Sequence, residues 1–304
     1  MTDLLLIQAL RSMRGGVLVT TRPELHAVAA RFAPPELRLI AQEHMHYFQR
    51  IDRVRRRVDR HKGRLDALVT LTARDRHDYI ERSSWPADKV HVIPNASRAS
   101  ILTEWSVRKK VIVAAGRLTH QKGYDRLIDA FVPVARAHPD WELHIYGKGP
   151  DRRALQKMIN ERGISDQARL MGWTDRLDLV LSEAAIFALS SRYEGLPLVG
   201  IEAMSKGLPM VAFDCPRGPR ELVRDEQNGY LVANGDLPAF STALERLVLD
   251  AELRCAMGKA ALEDALQYQI PTVGEQWDRL LDELLRPHPR ARRQLTFRPG
   301  GAGV

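Results

Sequence analysis

The sequence predicts an α/β protein of two Rossmann-like, doubly wound parallel-sheet units, the first of them incomplete. Two observations carry this. Short Val, Ile and Leu runs alternate with amphipathic runs along the 304 residues. The alternation breaks once, over the polar, non-periodic stretch 95–110, and then restarts.

In the first unit GVLVTT, LRLIAQ, ALVTLT and VHVIP read as strands. Each is short, apolar and closed by Gly, Pro or a small polar residue. The stretch 47–64 reads as one basic helix with Arg50, Arg53, Arg55, Arg56, Arg57, Arg60, Lys62 and Arg64. Four strands are few for such a unit. In the second unit VIVAAG, LHIYG, AIFALSS and PMVAFD read as strands, and 125–137, 151–163, 175–184 and 238–250 as helices. The expected layout is a first unit over 1–107, a second over 108–270, a C-terminal helix over 271–286 and a basic, disordered tail over 287–304.

Composition narrows the function. Hydrophobic residues make up 44% and charged residues 28%, the balance of a globular chain with a sizeable core. Aromatics at 6% argue against a stacking platform for single-stranded nucleic acid. A net charge of +8 suits nucleic acid, an anionic membrane surface or a phosphate-bearing ligand. Cys215 and Cys255 are too few and too far apart for a disulfide scaffold or metal knuckle, so a reducing cytoplasm is expected. The apolar run from Leu4 to Ile7 is too short for a signal-peptide core.

Ligands of parallel sheets bind beyond the carboxyl ends of the strands, so the loops there hold the candidates. After VIVAAG come Gly116, Arg117, Lys122 and Gly123. Two cations between glycines suit a diphosphate, and read alone they equally suit a solvated loop. After AIFALSS comes RYEGLPLVGIEAMSKGLP, with Glu194 and Glu202. Pro197 suits a first helical turn, and the first N–H groups of the helix LVGIEAMS would form an anion site. Carboxylates repel an anion, so their targets there should be neutral hydroxyls attached to it. A nucleotide sugar offers both. Spacing alone equally allows a capping Glu194 and a solvated Glu202.

These residues, with AAGRLTHQKGYDRLIDAF, LHIYGKGPDRRAL, MGWTD, FDCPRGPRELV and NGYLV in that order, resemble family 4 retaining glycosyltransferases of the GT-B fold. Glu194 and Glu202 match the family's Glu-x7-Glu hallmark. The match is strong over 110–235 and looser over 16–100. FDCPRGPREL is similar to a subset that uses UDP-linked hexoses or N-acetylhexosamines on cell-wall or surface polymers.

The resemblance implies roles. Arg117 and Lys122 would bind the donor diphosphate beside Gly116, with Leu198 and Val199 presenting N–H groups and Gly195 letting the donor approach. Glu194 would hold donor-sugar hydroxyls and Glu202 the ribose. Gly172 and Trp173 would face the base. His44 would be the cleft histidine, although His44 and His46 also read as ordinary loop residues. There is no Asp-x-Asp, so no metal and no cofactor is expected, the nucleotide sugar being substrate. The basic stretch suggests an anionic acceptor or peripheral contact with an anionic membrane at its inner face.

Three features are set aside. GKGPDRRA fails the dinucleotide fingerprint at Arg152, Cys215 reads as a buried small residue, and Asn95 heads an unused glycosylation sequon. The sequence departs from the family at its start. Gly15 and Gly16 precede a strand that resembles a later one of the family, so the first strands and the usual Gly-Gly loop are expected to be absent. The competing classes are therefore a partner-dependent or non-catalytic nucleotide-sugar-binding protein and, on charge alone, a nucleic-acid-binding protein.

Overall fold

The computed structural model describes residues 2–49, 52–102 and 108–286. The expected tail, Arg50 and the boundary segment 103–107 lie outside the described residues.

The first unit runs α1 (Thr2–Ser12), β1 (Val17–Thr20), α2 (Pro23–Phe32), β2 (Arg38–Gln42), α3 (Asp52–His61), β3 (Ala67–Thr70), α4 (Ala73–Ser83) and β4 (Val90–Val92). Its sheet is wholly parallel in the order β1-β2-β3-β4. A chain that steps one way through right-handed crossovers places its helices on one face. Accordingly Leu39, Ala41 and Leu68 pack on Ala29, Val58 and Tyr79 of α2, α3 and α4. The alternate residues Ile40, Ala67 and Val69 point the other way.

The second unit runs β5 (Val111–Ala115), α5 (Tyr124–Ala137), β6 (Glu142–Tyr146), α6 (Arg152–Glu161), β7 (Ala168–Gly172), α7 (Leu177–Glu183), β8 (Ile186–Leu189), α8 (Leu198–Ser205), β9 (Met210–Asp214), α9 (Pro219–Leu222), β10 (Gly229–Ala233), α10 (Leu237–Leu249) and α11 (Ala251–Ala265). A last helix, α12 (Ile270–Leu285), follows. This sheet is ordered β10-β9-β8-β5-β6-β7, all parallel. One face buries Leu127, Phe131, Ile159 and Phe240. The other buries Ile201, Met204, Leu181 and Ala261. The order reverses between β5 and β8, which is where a doubly wound sheet opens its crevice.

Two expectations need correction. The edge strands β7 and β10 were not predicted; β7 is not a continuous apolar run but alternates buried Ala168 and Leu170 with exposed Arg169 and Met171. The basic stretch is not one helix. α3 spans only Asp52–His61, between 3-10 turns at Tyr47–Gln49 and Lys62–Arg64. The described part of the boundary already belongs to the packed structure, since Leu102 N donates to Ser205 O at 2.9 Å and Ser97 bridges to Gln269. The last helix, α12, packs on the first unit. Its Val273 and Leu280 cover Ile40, Ala67 and Val69, the face of the first sheet that the crossover helices leave bare.

The units also meet through Arg217, whose guanidinium pairs with Asp78, lies 3.6 Å from Asp75 and covers Phe48 at 5.2 Å. No helix among the described residues is long and apolar enough to cross a membrane.

Because α12 closes the first core, Leu280→Ala is expected to cost about 2–5 kcal/mol in urea unfolding. An unchanged midpoint would mean that this face is not a core.

Candidate functional site

The loops after β5 and β8 leave neighbouring strands at the switch point and converge. Gly123, at φ +64°, makes this possible: a Cβ there would lie 2.2 Å from Ser190 O. Arg192 then ties the loops together, donating to Asp125 at 2.8 and 2.6 Å and to His120 O at 2.8 Å.

At the centre, Lys122 Nζ donates to Glu194 Oε1 at 2.6 Å, and Ser191 Oγ donates to the same oxygen at 2.6 Å. Both charges are largely withdrawn from solvent, with side chains 15% and 8% exposed. A pair this dry holds only with good geometry and additional hydrogen bonds, which Ser191 provides. Arg117 is exposed and has no ion-pair partner among the described residues.

Around this pair runs a groove in two connected halves that share Ala115, Gly116, Arg117 and Leu177. One half is walled by Lys122, Glu194, Leu198, Val199 and, from the first unit, Asn95. The other is walled by Tyr146, Lys148 and Trp173. Trp173 is 64% exposed, with Lys148 Nζ 5.6 Å from its ring centroid. Pro197 is the N-cap of α8 rather than its first residue. Gly200 and Ile201 N–H turn back to Pro197 O, at 2.9 and 3.4 Å. The N–H groups of Leu198 and Val199 have no acceptor among the described residues and remain at the groove, as an anion site requires.

Glu202 lies in the second turn of α8. It has no hydrogen-bond partner among the described residues, and burial, then Asp178, push its carboxyl above the ordinary range. Asp178 itself pairs with Lys206 at 2.6 Å. Gly172 ends β7, and its carbonyl accepts from Gly147 N at 2.7 Å, setting the loop that carries Trp173. Gly195 is placed differently from the expectation: a Cβ on it would lie 2.6 Å from His44 O, so its smallness serves contact between the units.

His44 is exposed as a residue, and partial burial of its ring lowers its pKa while the neighbouring Asn95 side chain raises it. It reaches the groove through Asn95. His46 is buried, its Nδ1 unpartnered among the described residues, and burial, then Arg217, lower it. The Cys215 thiol is buried and pushed up to about 12, chiefly by burial. Sequence reasoning missed Asn95, Tyr146, Lys148 and Ser191. All four end or follow strands β4, β6 and β8 at the carboxyl edge and could have been found by that rule alone.

The Glycosyl transferases group 1 family matches residues 102–264, and the chain belongs to this family. An exopolysaccharide phosphotransferase of Streptomyces coelicolor is 32% identical over all of this chain and 33% of its own length. The amylovoran biosynthesis glycosyltransferase AmsD of Erwinia amylovora is 29% identical over 72% of this chain and 63% of its own. The chain thus spans between a third and two thirds of these relatives. A point mutant of Staphylococcus aureus TarM, crystallised with UDP, fondaparinux and α-GlcNAc-glycerol, shares the fold at a TM-score of 0.82 and 21% identity, over 92% of this chain and 59% of that one.

If the ion pair organises the loops, Lys122→Met should lower unfolding free energy by about 3 kcal/mol by leaving a buried carboxylate uncompensated. Adding Glu194→Gln should restore most of that loss. Additive effects in denaturant titrations would show that the two side chains are independent.

Proposed function

We propose that the protein is a retaining glycosyltransferase that moves a hexose or N-acetylhexosamine from a nucleotide sugar, UDP-linked, to a cell-surface glycan or polymer. One observation carries the reading. At the switch point a single groove joins Arg117, the Lys122–Glu194 pair and two N–H groups of α8 that have no acceptor among the described residues, and Glu202, outside the groove's lining, follows one turn on in the same helix. The relatives named for exopolysaccharide and amylovoran, and the UDP in the TarM crystals, support the donor and acceptor classes.

The residues divide the work as follows. Arg117, Lys122 and the N–H groups of Leu198 and Val199 hold the diphosphate and meet the charge that grows on it as the glycosidic bond breaks. No metal or cofactor is assigned to this task, since the chain offers cations where the charge develops. The base lies against Trp173 and Lys148, beyond Gly116. Ribose hydroxyls donate to Glu202. Sugar hydroxyls donate to the oxygen of Glu194 that Lys122 and Ser191 leave open. The Cys215 thiol, buried and held protonated near neutral pH, is not a nucleophile for this transfer. His44 and Asn95 face the acceptor. The exposed Arg53, Arg56, Arg57 and Arg60 of α3 present a cationic stripe that suits an anionic acceptor or the inner face of a membrane, and a cytoplasmic reaction is part of this proposal.

Calorimetry with UDP, GDP and ADP tests the site. UDP should bind in the micromolar range, and Arg117→Ala should weaken it about ten- to a hundred-fold, the worth of a charge-assisted hydrogen bond. No binding by any of the three would overturn the reading.

pH supplies a second test. In the free protein Glu202 is raised, and ribose hydroxyls stabilise its ionised form, so its pKa falls on binding. UDP affinity should therefore be full above the raised pKa and decline below it. Glu202→Gln should flatten that limb, and a decline that persists in the variant would assign the titration elsewhere.

A further inference from the structure

We propose that Tyr124 is a positioning residue: its hydroxyl takes over Glu194 when Lys122 turns to a bound diphosphate. The inference rests on the reading that the groove holds a diphosphate, and it concerns what happens to the carboxylate the lysine leaves behind.

Tyr124 is the first residue of α5 and only 3% exposed. Its hydroxyl is buried and has no hydrogen-bond partner among the described residues. Buried polar groups are almost always paired, so an orphan beside a binding site calls for a role. Its position is narrow. A Cβ on Gly116 would lie 2.9 Å from the hydroxyl and 3.1 Å from Lys122 Cε, so phenol and lysine stem crowd the same point. That lysine's Nζ lies 2.6 Å from Glu194, so the phenol borders the ion pair, and burial, then the Glu194 charge, keeps its hydroxyl protonated far above the ordinary range. The group is thus a fixed O–H donor next to a carboxylate.

In the free protein Lys122 supplies the charge that Glu194 needs. A diphosphate competes for the same ammonium. Once Lys122 turns, the carboxylate, 6% exposed, keeps only Ser191. An uncompensated buried carboxylate takes up a proton, which would spoil it as an acceptor for sugar hydroxyls. A hydrogen bond from Tyr124 holds it ionised without cancelling its charge. A phenylalanine would fill the same space and pack as well, so only the hydroxyl separates this role from a core position.

Two measurements test it with Tyr124→Phe. The first needs no ligand. Lys122→Met mimics departure of the lysine. Tyr124→Phe should hold or raise the thermal midpoint of the otherwise native chain, because the hydroxyl has no bond to lose, but should lower it in the Lys122→Met background. A neutral effect in both backgrounds overturns the proposal. The second is UDP calorimetry in two buffers of different ionisation enthalpy, which also serves if Lys122→Met does not fold. Tyr124→Phe should bind UDP about tenfold more weakly and take up additional protons on binding. Binding and proton count equal to those of the native chain overturn the proposal. Failure of the native chain to bind UDP falls on the groove assignment, and the ligand-free pair of variants then decides the matter alone.

Discussion

The ion pair between Lys122 and Glu194 is the contact on which the rest of the site depends. It joins the loops after β5 and β8, the two strands between which the sheet reverses. Gly123 lets those loops touch, Arg192 clamps them, and Ser191 completes the carboxylate's shell. The pair is dry enough that neither partner is dispensable. Both partners line the groove together with Arg117 and the start of α8. The topology makes the crevice, and the ion pair gives it chemistry.

Much of this was legible in the sequence, for a physical reason. Central parallel strands are covered on both sides and read as unbroken apolar runs, as VIVAAG and AIFALSS do. Loops that leave their carboxyl ends are where ligands collect, and Arg117, Lys122 and Glu194 were found there. The edge strand β7 was hidden by its half-exposed alternation. Asn95 and Lys148 were hidden because a sequon and a failed dinucleotide fingerprint drew attention from their place after a strand. The bond between Lys122 and Glu194 was not readable at all, because 72 residues separate the partners. Gly195 was read as a door for the ligand, and it is a seat for the other unit.

The two units are joined through the same loops. Glu194 N–H donates to Pro216 O at 2.9 Å, and the next residue, Arg217, grips Asp75 and Asp78 of α4. Gly195 O lies 2.3 Å from where a Cβ on Gly218 would be. The backbone that presents Glu194 is therefore shared with the backbone that holds the first unit in place. A shift of α4 would be felt at the carboxylate through two peptide groups and one guanidinium.

The helix α12 carries a consequence for synthesis. The chain emerges from the ribosome from its N-terminus, so Ile40, Ala67 and Val69 are made long before Val273 and Leu280, their cover. Until then the first sheet has a finished helical face and a naked apolar one. The unit made first thus matures last. A nascent chain must keep that face from sticking to its neighbours through the whole translation of the second unit, a window in which holdase chaperones have an obvious client.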